Sequence, residues 1–305
     1  MNVEAGDFFL PVDKPVGPTS HDVVAAARRG LRTRRVGHTG TLDPFASGLL
    51  VLCVGRATRL AEYLSSLDKT YEAVARLGVT TDTLDREGEV VREREGWAEL
   101  AREQVAEELA RLSGEIEQVP PQFSAKKVDG EAMHRRARRG EHVDLPPVAV
   151  TIHEITLTEM RLPDLRFTVR CSSGTYVRAL ARDLGEGLGV GAHLTELRRT
   201  AVGGVSVDGA VGVDELDEGD AVARATIAPT EALGHMDTLE VDQEVADRLR
   251  NGQRVRVGEA TDTPTEAEDG SAPERTLVAV SHEHDLLAIA ELDDGLLRPR
   301  KVFPL

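Results

Sequence analysis

The stretch Gly37-His-Thr-Gly-Thr-Leu-Asp-Pro-Phe-Ala-Ser-Gly48 places a single carboxylate, Asp43, between a glycine-bearing turn and a proline. A carboxylate there has two uses. It can cap a helix whose first position is Pro44, or it can serve as a nucleophile or base if a cation holds it ionised. The second use needs partners, and the chain offers them at element junctions: Tyr71 in Lys69-Thr-Tyr71, and Tyr176 and Arg178 in Ser173-Gly-Thr-Tyr-Val-Arg178. A guanidinium beside Asp43 is expected to lower its pKa and orient it, and an aromatic ring gives a flat base a platform. The residues alone leave Tyr71 and Tyr176 divided between core and platform, and Arg178 between a surface salt bridge and the carboxylate.

The elements that must position these groups change type often, which points to an α+β fold rather than βαβ repetition. Phe8 to Val12 reads as a strand, Ser20 to Arg29 as a helix begun by Ser20, and Gly48 to Val54 as a buried apolar segment. Alternation predicts strands over Lys69–Leu77 and Leu165–Cys171, and helical spacing marks 97–112 and Tyr176–Leu184. Residues 120–147, rich in turn formers and then in arginine, read as an exposed excursion from the sheet. A domain break is expected near Pro229, giving a domain of residues 1–228 and a small β-rich module of 229–305 with a Gly-, Thr- and Glu-rich insert at 258–274.

The 305 residues carry a formal charge of −16, which argues against a nucleic-acid partner until its distribution is seen. Residues 1–207 hold 28 Lys+Arg against 30 Asp+Glu, whereas 208–295 hold 6 against 23. The acidity belongs to the final third. Basic residues cluster at Arg28–Arg35 and His134–Arg139, a pattern that solvated helix faces and RNA contacts both produce. No apolar run is long enough to span a bilayer and no basic leader precedes one, so a soluble, cytoplasmic protein is expected. Cys53 and Cys171 read as buried reduced thiols, and His282-Glu-His284 as a solvated loop rather than a metal site.

Five stretches occur in one order: Asp13-Lys-Pro-Val-Gly-Pro-Thr-Ser20, Gly37 to Gly48, Lys69-Thr-Tyr71, Ser173 to Arg178, and Leu197-Arg-Arg-Thr-Ala-Val-Gly203. Together they resemble the bacterial TruB family of tRNA pseudouridine-55 synthases, across roughly residues 8–205. The resemblance implies a catalytic domain with a mixed, mainly antiparallel central sheet flanked by helices, followed by a PUA-like RNA-binding β-barrel. It implies isomerisation of a T-loop uridine of tRNA: the nucleotide is flipped out, its N-glycosidic bond is broken, and the base is rejoined through C5. Asp43 matches the catalytic aspartate, Arg178 its partner, and Tyr71 the tyrosine that stacks on the base. Tyr176 and Leu197 match residues lining the uridine pocket, and His38 the histidine that fills the gap left in the RNA stack.

Residues 120–140 resemble the family's thumb-like insertion, in which Lys127 contacts RNA phosphate; His134 stands where the family usually has Tyr. Lys14, Arg135 and Arg138 are the further RNA-binding candidates. No cofactor is implied, because bond breaking and remaking stay within the uridine. The implied partner is the T-arm stem-loop of tRNA, met by a monomer without an obligatory protein partner. A tRNA-folding chaperone and a guide-RNA-dependent pseudouridylase are the alternatives.

Overall fold

The structure is a computed structural model that describes residues 6–123, 127–128, 131–133, 139, 143, 145–257 and 276–303. Its frame is a sheet whose main path runs Val211–Gly212, Phe8–Lys14, Ser47–Val54, Ala192–Val202, Lys69–Leu77, Asp164–Cys171, Val148–Arg161, Gly114–Gln118. Two pairings on this path are parallel, Phe8–Lys14 with Val211–Gly212 and Ser47–Val54 with Ala192–Val202; the others are antiparallel. The fold is therefore α+β with a mixed, mainly antiparallel sheet.

Lys69–Leu77 shows why a strand forms there. Tyr71, Ala73, Ala75 and Leu77 point into the core while Glu72 and Arg76 face solvent, the two-residue period of a half-buried strand. Ser47–Val54 has no such alternation because it is covered on both faces. Leu50, Leu52 and Val54 pack in a cluster with Val23, Val24 and Ala27 of the helix Ser20–Gly30. Leu49, Val51 and Cys53 join a second cluster with Ala279, Ile289 and Phe303. An unbroken apolar run is what a strand buried on both sides requires.

The second cluster is where the C-terminal sheet meets the first. Its strand order is Asp237–Glu240, Thr276–His282, Asp285–Asp293, Leu296–Val302, Val255–Arg256, and the helix Gln243–Arg250 adds Ala246 and Leu249 to its own core. The first helix begins at Ser20 as expected, with Thr19 as its cap in a reciprocal box with Asp22. The sequence places two details differently. The helix expected over 97–112 is confined to Arg102–Arg111, behind a short 3₁₀ turn at Trp97–Glu99. His282 is not solvated: it is buried, with its ring nitrogens against Val241 O and Gln243 Oε1. The insert at 258–274 lies outside the described residues.

Ser47–Val54 and Ala192–Val202 pair over two positions, Arg198 with Ser47 and Arg199 with Gly48. This seam holds one end of the loop that carries Asp43. Gly48 makes it possible, having φ +98° and so little room that a Cβ would lie 2.2 Å from the Arg199 carbonyl oxygen. Gly48→Ala is therefore expected to destabilise the protein by at least about 2 kcal/mol, read as a lower urea midpoint. An unchanged midpoint would show that the seam can yield.

Candidate active site

Asp43 caps no helix. It lies in an irregular loop, where the Ala46 N–H closes a turn on the Asp43 carbonyl at 3.1 Å. The loop is fixed from below by the segment following the first strand. Ser20 Oγ donates to Leu42 O (3.1 Å) and accepts from Leu42 N (2.8 Å), and Gly17 N donates to Pro44 O at 2.8 Å.

Lys14 serves the same bed, which corrects its assignment as an RNA contact. The residue is 0% exposed, and its ammonium donates to Pro15 O (2.8 Å), Pro18 O (2.9 Å) and Pro44 O (3.5 Å). A cation enclosed this way meets no phosphate. Burial pushes its pKa down to about 8, with Asp43 opposing the shift.

The carboxylate of Asp43 meets the guanidinium of Arg178, Nε to Oδ2 at 2.9 Å. Arg178 comes from the first turn of the helix Val177–Gly187 and is 4% exposed. Gln118 fixes the start of that helix by donating to Tyr176 O (3.2 Å) and accepting from Tyr176 N (2.8 Å). The rest of the guanidinium is satisfied too. Nη1 donates to Thr83 O at 2.8 Å and reaches Asp85 Oδ2 at 3.4 Å, while Nη2 donates to Phe123 O at 2.9 Å. Asp85 is in turn held by the Thr83 hydroxyl (2.7 Å) and the Glu87 N–H (3.0 Å).

These groups open onto a cavity of about 300 Å³ lined by Asp43, Tyr71, Tyr176, Arg178, Leu197 and Arg199, among others. Five of the six residues expected at a uridine site thus share one pocket. The sixth, His38, is set back from the lining, at the head of the loop. Its Nδ1 accepts the Gly40 N–H at 3.2 Å, which leaves that nitrogen without a proton. Burial, then the charge of Arg199, pushes the His38 pKa down, which favours the neutral imidazole. Lys127 lies in a short backbone hairpin with Glu131–Ala132, and Arg135, Arg138 and His134 fall outside the described residues.

The electrostatics differ from the expectation in one respect. Arg178 does lower the Asp43 pKa, but burial raises it more, and Asp85 adds to the rise. The carboxylate keeps one edge open, with 36% of the side chain exposed, while its other sides are enclosed by protein. Burial likewise holds the Tyr71 phenol above its ordinary value, against the opposing charge and hydrogen bond of Arg199.

Asp85 and Arg199 were not singled out from the sequence. Asp85 sits in Thr81-Asp-Thr-Leu-Asp85, where nothing distinguishes it from Asp82. Arg199 lies in the recognised Leu197-Arg-Arg-Thr stretch, beside an Arg198 that instead forms a two-bond pair with Asp13 at 3.0 and 2.7 Å. The cysteines are buried and free as expected; burial pushes Cys53 up to about 12 and Cys171 up to about 11.

Known proteins share this arrangement of chain. The family model for the N-terminal domain of the TruB family pseudouridylate synthases matches residues 28–177, and that for the C-terminal domain of tRNA pseudouridylate synthase B matches 178–238. A tRNA pseudouridine synthase B of Burkholderia mallei (strain NCTC 10247) is 44% identical over 305 residues, covering 99% of this chain and 98% of the relative. The chain belongs to the TruB family. A second relative of the same name, from Cupriavidus metallidurans, is also 44% identical, over 97% of this chain and 94% of its own.

Solved structures carry the fold further than the sequence does. An H/ACA RNP bound to a substrate RNA containing 2′-deoxyuridine includes a chain matching 98% of this one, with 85% of its own length covered, at TM-score 0.72 and 23% identity. A Cbf5-Nop10-Gar1 complex gives 0.71 at 24% identity, over 97% of this chain and 85% of that one. The TruB fold here is thus the fold of those chains.

The raised pKa sets a pH dependence. The rate of an Asp43-dependent reaction should fall as pH drops through a value above the ordinary carboxylate 3.8. Arg178→Met removes the largest opposing influence and should move that acid limb to higher pH, while cutting the rate at pH 7 at least about tenfold. Single-turnover rates from pH 4.5 to 8 check both, and an acid limb that stays in place would separate Arg178 from Asp43.

Proposed function

We propose that this chain is a tRNA pseudouridine-55 synthase, in which Asp43 is the catalytic carboxylate for converting a T-loop uridine to pseudouridine. The observation that carries the reading is the Asp43–Arg178 pair at 2.9 Å in a pocket of about 300 Å³ walled by Tyr71, Tyr176 and Leu197. A cavity at the small end of the ligand-site range takes a nucleoside, not a duplex. The target must leave its stack to enter, at a cost of a few kcal/mol. His38, at the head of the loop, is the side chain we assign to filling the gap.

Within the pocket each group has a physical task. Arg178 holds the Asp43 carboxylate in one orientation and favours its ionised form, which burial alone would suppress. Asp85, behind the guanidinium, keeps Arg178 from turning toward substrate. Tyr71 offers its ring face to the uracil through a break-and-rejoin sequence in which the base must turn without escaping, and Leu197 and Tyr176 confine it. The reaction neither oxidises nor reduces the substrate: the N1–C1′ bond breaks, the C5–C1′ bond forms, C5 gives up a proton and N1 gains one, so uridine supplies every heavy atom of the product.

Binding is assigned to the same lobe. The near-balanced charge of residues 1–207, with basic residues gathered in clusters, suits an RNA-facing surface better than residues 229–305, which hold 8 Lys+Arg against 17 Asp+Glu. We assign residues 1–228 to the catalytic domain and 229–305 to a PUA-like module whose part in RNA affinity is modest. Lys127, Arg135 and Arg138 of the thumb-like insertion contact RNA, and the enzyme acts as a monomer without a guide RNA. No described helix is long and apolar enough to cross a membrane.

Unmodified T-arm stem-loop RNA incubated with the protein alone should gain one pseudouridine in the T-loop, and with Asp43→Asn none. RNA that is bound but unmodified by wild type would favour the chaperone reading; modification that requires an added guide RNA would favour the guide-dependent one. Lys127→Ala should lower the slope of log affinity against log salt by about one phosphate contact, and an unaltered slope would take Lys127 out of the interface.

A further inference from the structure

Arg199 is 2% exposed, and among the described residues no carboxylate pairs with it. Its acceptors are backbone carbonyls: Leu49 O from Nε at 2.7 Å, Gly40 O from Nη2 at 3.0 Å and Thr41 O from Nη1 at 3.4 Å. Gly40 and Thr41 precede Asp43 in the loop, and Leu49 follows it in the next strand. The guanidinium therefore ties together both ends of the segment that holds the carboxylate. Its own backbone lies between two parts of the site, paired with Tyr71 on one side and Gly48 on the other.

A fully buried cation balanced by carbonyl dipoles alone is costly. If fastening a loop were its whole purpose, neutral donors would do so without that cost. What the guanidinium offers is a planar fork of donors in fixed directions, with a charge set in the wall of the cavity. Asp43 needs such a support because its loop has no helix or strand of its own, and irregular segments open more easily than the elements they join.

We infer that Arg199 is a positioning residue for the reaction: it locks the Asp43 loop to the strand carrying Leu197 and to the Tyr71 platform, so that carboxylate, platform and pocket wall keep one spacing. The inference rests on the proposed function for its catalytic consequence, and on geometry alone for the lock. A displacement of about 1 Å in a reacting group is worth about 100-fold in rate, so a loop released by a few tenths of an ångström or more has a measurable effect on turnover while the RNA-facing surface is unchanged.

The test compares wild type, Arg199→Lys and Arg199→Met as full-length proteins. Hydrogen exchange of peptides covering 39–49 should accelerate at least about tenfold in Arg199→Met while exchange in Lys69–Leu77 stays slow. The single-turnover rate on T-arm RNA should fall about 100-fold with the dissociation constant changed by no more than about threefold. Arg199→Lys, which keeps the charge but not the fork, should recover part of the rate. It also serves as the probe if the methionine variant does not fold, with faster exchange confined to 39–49 expected.

Unchanged exchange at 39–49 in either folded variant overturns the lock. A rate and an affinity that decline together overturn the positioning role in favour of RNA binding. If wild type modifies no RNA, the proposed function fails, and the exchange measurement still decides whether Arg199 holds the loop.

Discussion

A guanidinium has five N–H donors and keeps its charge at any pH a protein meets, so burying Arg178 obliges the fold to bring acceptors to it. They come from three distant stretches: the loop bearing Asp43, the turn with Thr83 and Asp85, and Phe123 at the start of the excursion. The relative positions of all three follow from one side chain. Gln118, gripping both backbone groups of Tyr176, fixes the helix on which that side chain rides. Placement of the carboxylate is thus a property of the tertiary structure, not of the short loop in which it occurs.

The loop is held by two further buried cations that, among the described residues, are not paired with carboxylates. Lys14 supports it from beneath through proline carbonyls, and Arg199 ties its ends. Carbonyl oxygens are weaker partners than carboxylates, but they leave Asp43 and Asp85 as the acidic groups close to the reaction. Desolvation raises the Asp43 pKa while Arg178 and Lys14 oppose the rise. A carboxylate in this balance is less stabilised in its ionised form than in water, a condition that favours reactivity over storage of charge.

How far the sequence disclosed this can be judged residue by residue. Asp43, Tyr71, Tyr176, Arg178 and Leu197 were legible because they sit in stretches whose order and spacing resemble a family, and the structure brings them to one cavity. Lys14 ends the first strand, and nothing in the sequence marks that the Pro- and Gly-rich segment after it folds back to bury its ammonium. Of the two uses open to Asp43, capping drops out because Pro44 begins a turn and no helix follows it. The predicted fall in the Asp43 pKa counted the cation and not the loss of water, which depends on contacts far apart in the chain. Asp85 carried no local mark; only the folded distance to Arg178 distinguishes it. Strands were read more closely than helix ends, because alternation is set by the strand itself and helix termini by what they pack on.

The strand Ser47–Val54 has a consequence for how the protein is made. One of its faces packs on the helix Ser20–Gly30, which is made before it, whereas Leu49, Val51 and Cys53 are covered in part by Ala57, Leu60 and Leu64 close by and in part by Ala279, Ile289 and Phe303. Synthesis runs from the N-terminus, so this apolar face is complete long before the last of its cover leaves the ribosome. Throughout that interval the half-built enzyme presents part of the surface that chaperones bind and that aggregation exploits. The acidic C-terminal lobe thus closes the fold as well as extending it, and a ribosome that stops short of Phe303 releases a catalytic sheet with its back only partly covered.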